Sequence, residues 1–156
     1  MKIKSLATGG MIAAFYAGIT LVLHPLSYGP VQLRAAEALT LLPFYIPEAV
    51  PGLFVGCLVA NAFSPGGALD MVVGSLATLA AAYLSRRMPN LWLAALPPVL
   101  VNMVMIGTML HLIMENVPLW STIFYVGAGQ AGACALGVSL MKILENHNLI
   151  RRDKPL

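Results

Sequence analysis

The chain has 156 residues, of which 59% are hydrophobic and only 10% are charged. Soluble domains carry about 25% charged residues, so the composition excludes an ordinary water-soluble protein and predicts an all-α integral membrane protein. The net charge of +3 comes from the chain ends and one short loop, which is typical of membrane topology and not of a nucleic-acid-binding face. We therefore expect a single domain over residues 1–156, in contact with a lipid bilayer and without a nucleic-acid partner.

The first apolar segment, about residues 6–23, predicts a membrane-spanning helix. It is too long for a signal peptide and lacks an Ala-x-Ala cleavage pattern, so we expect it to be retained. Small residues recur in it at intervals of four, and Ala13 and Ala17 are one such pair. A face of this kind lets another helix approach closely in lipid. The spacing alone leaves open whether that helix belongs to this chain or to a partner subunit.

Residues 31–61 form an unusual central stretch. It opens with Arg34 and Glu37, which share a face on a helix because they are three residues apart. Three prolines follow at intervals of four: Pro43, Pro47 and Pro51. Since proline cannot continue an ordinary helical hydrogen-bond ladder, we predict two short helical pieces, 34–46 and 49–63, with a broken turn between them. Broken helices with ionisable groups are how membrane proteins build ligand sites.

Three further apolar segments complete the chain, at residues 69–84, 91–112 and 119–144. Lys and Arg near spans prefer the cytoplasmic side. If the central stretch crosses twice, or is a re-entrant pair, eight of the nine basic residues lie on the side of the N-terminus, and Arg34 is the exception. We therefore predict a six-helix transmembrane bundle with both termini cytoplasmic. Arg34, Glu37 and Asp70 then lie in the outer half of the membrane.

Polar side chains inside the apolar segments are the candidates for a binding site. Arg34 and Glu37 either form an ion pair that fixes the outer rim or contact a ligand, and the guanidinium can orient the carboxylate. Asn102 is mid-span and serves either an interhelical hydrogen bond or substrate recognition. Gln130 lies in a run of small residues, which predicts an amide that faces a pocket. Trp120 is on the presumed ligand side, although such aromatics are typically interface anchors.

Enzyme and metal-site motifs are absent from the sequence. It contains no G-x-S-x-G, no H-E-x-x-H and no Gly-rich phosphate loop, so we expect neither enzymatic activity nor ATP hydrolysis by this chain. The three histidines do not cluster at ligand spacing, and Cys57 and Cys134 are typical of small buried apolar residues. We predict no metal and no cofactor. Asn61, near the end of a segment, is interpreted as a helix cap.

Three runs of sequence resemble the QueT-type queuosine-precursor transporters: VQLRAAEALTLLPFYIPEAVPGLFVGCLVAN, GGALDMVVGSLATLAAA and LPPVLVNMVMIG. The resemblance covers nearly the whole chain after the first span. It implies a substrate-binding S component of an energy-coupling-factor transporter, in a bacterial plasma membrane. Such a component works with a transmembrane coupling subunit and two ATP-binding cassette ATPases. Small residues at Ala-x-x-x-Ala spacing on its first helix meet the coupling subunit, which implies that contact for Ala13 and Ala17.

The resemblance also implies a substrate, a 7-deazaguanine precursor or salvage form of queuosine. The guanine-like edge offers adjacent N–H donors that a carboxylate can accept together, and we predict this role for Glu37. Asn102 could pair with the same heterocycle. The resemblance also implies a carboxylate at the position where this chain has Gln130. A cationic aminomethyl group would pair with a carboxylate, and Gln130 is neutral. This difference therefore favours a neutral nitrile or free-base form of the substrate.

Three functions are compatible with these residues. The first is the ATP-dependent uptake subunit, for queuosine precursors or for a different vitamin-like substrate. The second is a stand-alone transporter in which the carboxylates bind a coupling ion. The third is a membrane scaffold that transports nothing. Small size, the absence of an internal repeat and the alanine face of the first segment favour the first.

Overall fold

The computed structural model describes residues 3–24, 34–114 and 116–152, and the regular structure in these ranges is helical. We number six helical segments in chain order: α1 Ile3–Val22, α2 Ala35–Phe44, α3 Ala49–Asn61, α4 Gly67–Arg86, α5 Leu91–Ile113 and α6 Leu119–Asn146. Helices α1, α4, α5 and α6 are long and apolar enough to cross a membrane, whereas α2 and α3 are shorter. The predicted all-α architecture with six segments is confirmed, and every predicted boundary lies within three residues of the observed one.

Prolines divide the central stretch at the predicted place. Helix α2 is a 3₁₀ helix of 10 residues that contains Pro43, and α3 is an α-helix with Pro51 in its first turn. Between them the chain turns at residues 45–48, where the Ile46 backbone N–H donates to the Leu42 carbonyl oxygen over 2.8 Å. The prediction of two short helical pieces around a broken turn is therefore confirmed. Each piece is roughly 20 Å long, which is less than the thickness of a bilayer core.

Helix α1 packs against α3 at unusually short range. A Cβ atom on Gly56 would lie 2.7 Å from the Ala13 carbonyl oxygen and 2.9 Å from the Tyr16 Cβ, so a side chain there would force the two helices apart. Ala17 lies on the same face, is 8% exposed, and joins a core cluster with Leu53. The small residues of α1 thus serve packing within the chain. Contact of Ala13 and Ala17 with a partner subunit is not tested and stays a prediction.

Several chain segments meet at one end of the bundle. Near the start of α1, the Ser5 hydroxyl donates to Glu48 Oε1 over 2.9 Å, next to the break between α2 and α3. At the same break, the Tyr45 hydroxyl donates to Glu145 Oε2 over 3.1 Å, close to the end of α6. The start of α1, the break and the end of α6 are therefore neighbours.

The C-terminal segment also reaches the loop between α4 and α5. Arg152 donates hydrogen bonds of 2.8 Å to the carbonyl oxygens of Met88 and Pro89, and its guanidinium lies 4.0 Å from the centroid of the Phe44 ring. We call this region the basic end, since it gathers most basic residues of the described chain: Lys4, Arg86, Arg87, Lys142, Arg151 and Arg152.

The opposite end of the bundle, which we call the far end, contains the loop between α3 and α4 at residues 62–66. A ring nitrogen of His24, just after α1, lies 3.4 Å from the Phe63 carbonyl oxygen in that loop. Helices α1 and α3 both run from the basic end to the far end, and α4 starts the return. Polar side chains that come near the start of α4 therefore lie towards the far end.

Candidate functional site

One face of α2 carries a row of buried polar side chains. Because a 3₁₀ helix has three residues per turn, Arg34, Glu37 and Thr40 lie along one line. An ordinary α-helix would rotate positions six apart by about 120°. The Glu37 backbone N–H donates to the Arg34 carbonyl oxygen over 2.9 Å, and the Thr40 hydroxyl donates to the Glu37 carbonyl oxygen over 2.6 Å. The shared face of Arg34 and Glu37 is thus confirmed, and the 3₁₀ geometry aligns the two residues more closely than an α-helix would.

The Glu37 carboxylate lies between α1 and α6. The Tyr16 hydroxyl of α1 donates a short hydrogen bond to Oε1, and Gln130 Nε2 of α6 donates to Oε2 over 3.2 Å. Glu37 is 2% exposed, Tyr16 is fully buried, and Gln130 is buried. Each carboxylate oxygen therefore has a donor, and three helices from distant parts of the chain meet at this one side chain.

A glycine explains why the Gln130 amide reaches Glu37. A Cβ atom on Gly137 would lie 2.5 Å from the Ala38 carbonyl oxygen, so α6 touches the α2 backbone at this position. Gln130 is seven residues earlier in α6, about two helical turns away and on the same face. The small residues around Gln130 thus permit close helix packing, and this packing aims the amide at the carboxylate.

Arg34 faces a second buried carboxylate. Its Nη2 atom lies 3.9 Å from Asp70 Oδ2, and both side chains are buried. The Ser64 hydroxyl donates a short hydrogen bond to the same Oδ2, and Asn61 Nδ2 donates to the Asp70 carbonyl oxygen over 2.9 Å. Arg34 therefore stands next to two acids, Glu37 one turn further along α2 and Asp70 at the start of α4.

The backbone around Asp70 is irregular. Asp70–Gly74 is a π-helical turn within α4, and such turns occur frequently at functional sites. A Cβ atom on Gly74 would lie 2.5 Å from Asn61 Nδ2, so this glycine lets the amide of α3 come close to α4. The interpretation of Asn61 as a helix cap is wrong, because its amide is fully buried and donates to α4 and to Cys57 Sγ, 3.2 Å away.

Three buried oxygens near this turn have no hydrogen-bond partner within the described part of the chain: Asp70 Oδ1, Asn61 Oδ1 and Ser75 Oγ. A buried polar group without a partner costs about 1–3 kcal/mol, and native proteins leave few of them. All three atoms can accept a hydrogen bond. They are typical of a site that receives donors from a bound molecule.

A known family matches almost the whole chain. Its model, described as QueT transporter, covers residues 6–146. The chain belongs to the QueT transporter family. A member in Lactococcus lactis subsp. cremoris (strain MG1363), named "Queuosine precursor transporter QueT", is 32% identical over 80 residues. The aligned stretch covers 50% of this chain and 47% of the relative, so it spans about half of the relative's length. No solved structure matches the chain.

Family membership and fold agree with each other. As a QueT transporter family member with four apolar helices of spanning length, the chain is a multi-pass membrane protein. The resemblance seen in the sequence is confirmed. The matched range contains α2 to α6 in full and most of α1, so all the side chains around Glu37 and Asp70 lie within the family's own segment.

The structure brings together three of the five residues that the sequence proposes for substrate binding in this QueT family member. Gln130 donates to Glu37 between α2 and α6, and Arg34, one turn before Glu37 on the same face, extends towards Asp70 at the start of α4. Asn102 is buried on α5, where its Nδ2 donates to the carbonyl oxygen four residues earlier in its own helix, over 2.9 Å. Trp120 is 74% exposed in the first turn of α6. The substrate-binding roles of all five residues stay predictions.

Tyr16 was missed by reasoning from the sequence. It lies within an apolar span and looks like one more hydrophobic residue. Its position in the middle of the predicted span is a signal, because tyrosines in membrane proteins concentrate at the two interfaces. A phenol hydroxyl buried at that position usually has a hydrogen-bond partner. The sequence predicts Asp70 in the outer half of the membrane but gives no sign of its contacts with Ser64 and Asn61. Within the described ranges, no three His, Cys, Asp or Glu side chains come close enough to hold a metal ion.

Proposed function

We propose that this chain is the substrate-binding subunit of an uptake transporter, and that it binds a 7-deazaguanine queuosine precursor through Glu37. The observation that carries the proposal is the buried carboxylate of Glu37 at the meeting point of three helices. An ionisable group in a membrane interior costs about 2.5–3.5 kcal/mol at the bilayer centre, and such groups mark substrate pathways. The name of the Lactococcus lactis relative, a queuosine precursor transporter, supports the substrate class.

The recognition chemistry follows from the partners of Glu37. A guanine-like edge presents adjacent N–H donors, and an ionised carboxylate can accept both. The 3.2 Å bond from Gln130 is at the long end of the usual N–H···O range, so we expect the substrate to replace it. The Gln130 amide then turns to the heterocycle, as donor and acceptor, while the Tyr16 hydroxyl keeps the carboxylate oriented.

The charge distribution supports an outward-facing site. Basic residues next to spans prefer the cytoplasm, so the basic end, with the start of α1 and the end of α6, faces the cytoplasm in this proposal. Asp70 at the start of α4 and Ser64 in the α3–α4 loop then lie towards the outside. The substrate enters from the outer side and meets Arg34 and Glu37 below that loop.

We propose further that the chain uses an external energy source, namely a transmembrane coupling subunit and two ATP-binding cassette ATPases, because its sequence has no phosphate-binding loop. Support for docking on α1 comes from an apolar groove of about 560 Å³ beside that helix, whose lining includes Ala14 and Gly18. Both residues are exposed, and small residues permit close helix contact in lipid. They are next to Ala13 and Ala17 on α1, the two residues for which the family resemblance implies contact with the coupling subunit.

Binding to the purified chain tests the substrate. We expect 7-deazaguanines to raise the melting temperature of the protein in nanodiscs, since a ligand that binds the folded state stabilises it by mass action. Glu37→Gln should lower the affinity about 30-fold or more, as loss of a buried hydrogen-bonded charge does. Glu145→Gln is the matched control at the basic end and should leave the affinity unchanged. If neither 7-deazaguanine nor its 7-cyano or 7-aminomethyl derivative binds, the proposed substrate is wrong.

Uptake by cells tests the energy source. We expect a tagged chain to co-purify with a membrane subunit and two ATPases, and uptake to stop when ATP is depleted. Uptake that survives ATP depletion but collapses with an uncoupler would instead identify a stand-alone, ion-coupled transporter. The two outcomes exclude each other, so this experiment separates the two kinds of transporter whatever the substrate.

A further inference from the structure

The buried charges of the site do not balance. In the described part of the chain, the buried side chains with a formal charge are one guanidinium, Arg34, and two carboxylates, Glu37 and Asp70. Counted as ionised, they sum to −1. The sequence of residues 25–33 contains no acidic or basic side chain that could change this sum. An uncompensated charge in a low-dielectric interior is strongly unfavourable, so the site is complementary to a single positive charge.

The oxygens that could receive this charge lie around the π-helical turn. Asp70 Oδ1, Asn61 Oδ1 and Ser75 Oγ have no hydrogen-bond partner within the described ranges, and each of the three side chains is at most 3% exposed. The Asn61 amide is joined to the Asp70 backbone. Ser75 follows the π-helical turn directly, about one turn after Asp70 and so on the same side of α4. Two further acceptors, Asn61 Oδ1 and Ser75 Oγ, thus accompany the free oxygen of the Asp70 carboxylate in one buried region.

The number and type of these groups fit an ammonium ion better than a bare metal cation. A primary ammonium has three N–H donors and no acceptor, which matches three acceptor atoms without donors. A metal cation would have a single carboxylate as its charged ligand, and that carboxylate already lies 3.9 Å from the Arg34 guanidinium. A hard metal cation takes about six or more oxygen ligands, more than the three acceptors here provide, whereas three hydrogen bonds satisfy an ammonium group on the side of Asp70 that Arg34 does not face.

We propose that Asp70, Asn61 and Ser75 form a subsite for a protonated primary amine carried by the substrate. This inference rests on the proposed function, because Glu37 holds the heterocycle to which the amine is attached. The amine brings the buried charge to zero and supplies donors for the three oxygens. It also reverses the expectation drawn from Gln130: Asp70, from another helix, supplies the carboxylate that position 130 lacks. The chain therefore prefers an aminomethyl derivative over a neutral one.

The decisive comparison uses two ligands of nearly equal shape. Titration calorimetry on the full chain in nanodiscs should give an affinity for 7-aminomethyl-7-deazaguanine about tenfold higher than for 7-hydroxymethyl-7-deazaguanine, which is neutral, because charge-assisted hydrogen bonds are roughly twice as strong as neutral ones. Asp70→Asn should lower the affinity for the amine about tenfold and change that for the alcohol less than about twofold. Glu37→Gln should lower both affinities alike. Glu48→Gln, at the basic end, should change neither.

Each outcome distinguishes this inference from the proposed function. Equal affinities of the wild-type chain for the amine and the alcohol would overturn the amine subsite, while the binding of either would still support the role of Glu37. If no deazaguanine binds, the proposed function fails first. If Asp70→Asn does not fold, Ser75→Ala serves instead, since it removes one acceptor. It must lower the affinity for the amine more than the affinity for the alcohol. If the neutral alcohol binds tightly only when sodium is present, the three oxygens form a metal-ion site. That result would overturn the inference.

Discussion

The two ends of the bundle use the same kinds of side chains in opposite ways. At the basic end, Arg152 stacks on a ring and donates to two backbone carbonyl oxygens at the edge of the protein. Towards the far end, Arg34 is 7% exposed and faces Asp70. A charge that keeps contact with water costs little and contributes little, whereas a buried charge is expensive. The comparison supports the proposed function, in which basic-end charges set the topology and attach loops while the buried far-end charges contact the ligand.

Helix α2 connects these two regions. Its first turn carries Glu37, and its last residue, Phe44, lies under the Arg152 guanidinium. Tyr45, directly after α2, donates to Glu145. The helix that carries the candidate site is therefore anchored at the basic end, by contacts that do not involve the site itself.

The largest effect on the melting temperature should come from a substitution that shifts α1 away from the site. Gly56→Ala places a Cβ atom within 3 Å of Ala13 and Tyr16, and overpacking of this kind costs about 1–3 kcal/mol. We expect the melting temperature in detergent to fall and the affinity for 7-deazaguanines to fall with it, because Tyr16 moves relative to Glu37. Gly18→Ala is the control, since nothing lies within 4 Å of its added Cβ. Equal melting temperatures for the two variants would contradict the close α1–α3 contact.

A pair of tyrosines tests the two ends with the same chemical change. Tyr16→Phe and Tyr45→Phe each remove one hydroxyl that donates to a glutamate. A hydrogen bond to a charged group contributes about 1.5–3 kcal/mol, so we expect Tyr16→Phe to lower the substrate affinity about tenfold or more. Tyr45→Phe should leave the affinity unchanged. Calorimetry on both variants measures the difference, and an equal loss of affinity in both would remove the functional distinction between the ends.

The smallest effect should come from the attachment of the C-terminal segment. Arg152→Ala removes the contacts with the α4–α5 loop and with Phe44; an exposed cation–π contact contributes about 0.5–1 kcal/mol. We expect a decrease of a few degrees in melting temperature and little change in substrate affinity. Arg151→Ala, an exposed neighbour, should melt like the wild type. A large loss of affinity in Arg152→Ala alone would show that the basic end takes part in binding.

Much of the fold follows from local properties of the sequence. Long apolar segments separated by short polar turns predict the helices, and the prolines at 43, 47 and 51 predict the break between α2 and α3 because they remove backbone donors where they stand. The pairing of Arg34 and Glu37 on one face is also local, since it depends only on their spacing. The family could likewise be identified from runs of residues without any coordinates.

The remaining features depend on how each helix is rotated about its own axis, and only tertiary packing decides this. Tyr16 and Gln130 reach Glu37 because Gly56 and Gly137 let neighbouring backbones approach closely. The sequence by itself determined which residues are helical, where the chain breaks and that a buried acid is present. The tertiary structure decided which polar groups surround that acid, and it brought Asp70 next to Arg34. Contacts between residues far apart in the chain leave no periodic signal in any one segment, so the sequence could not reveal them.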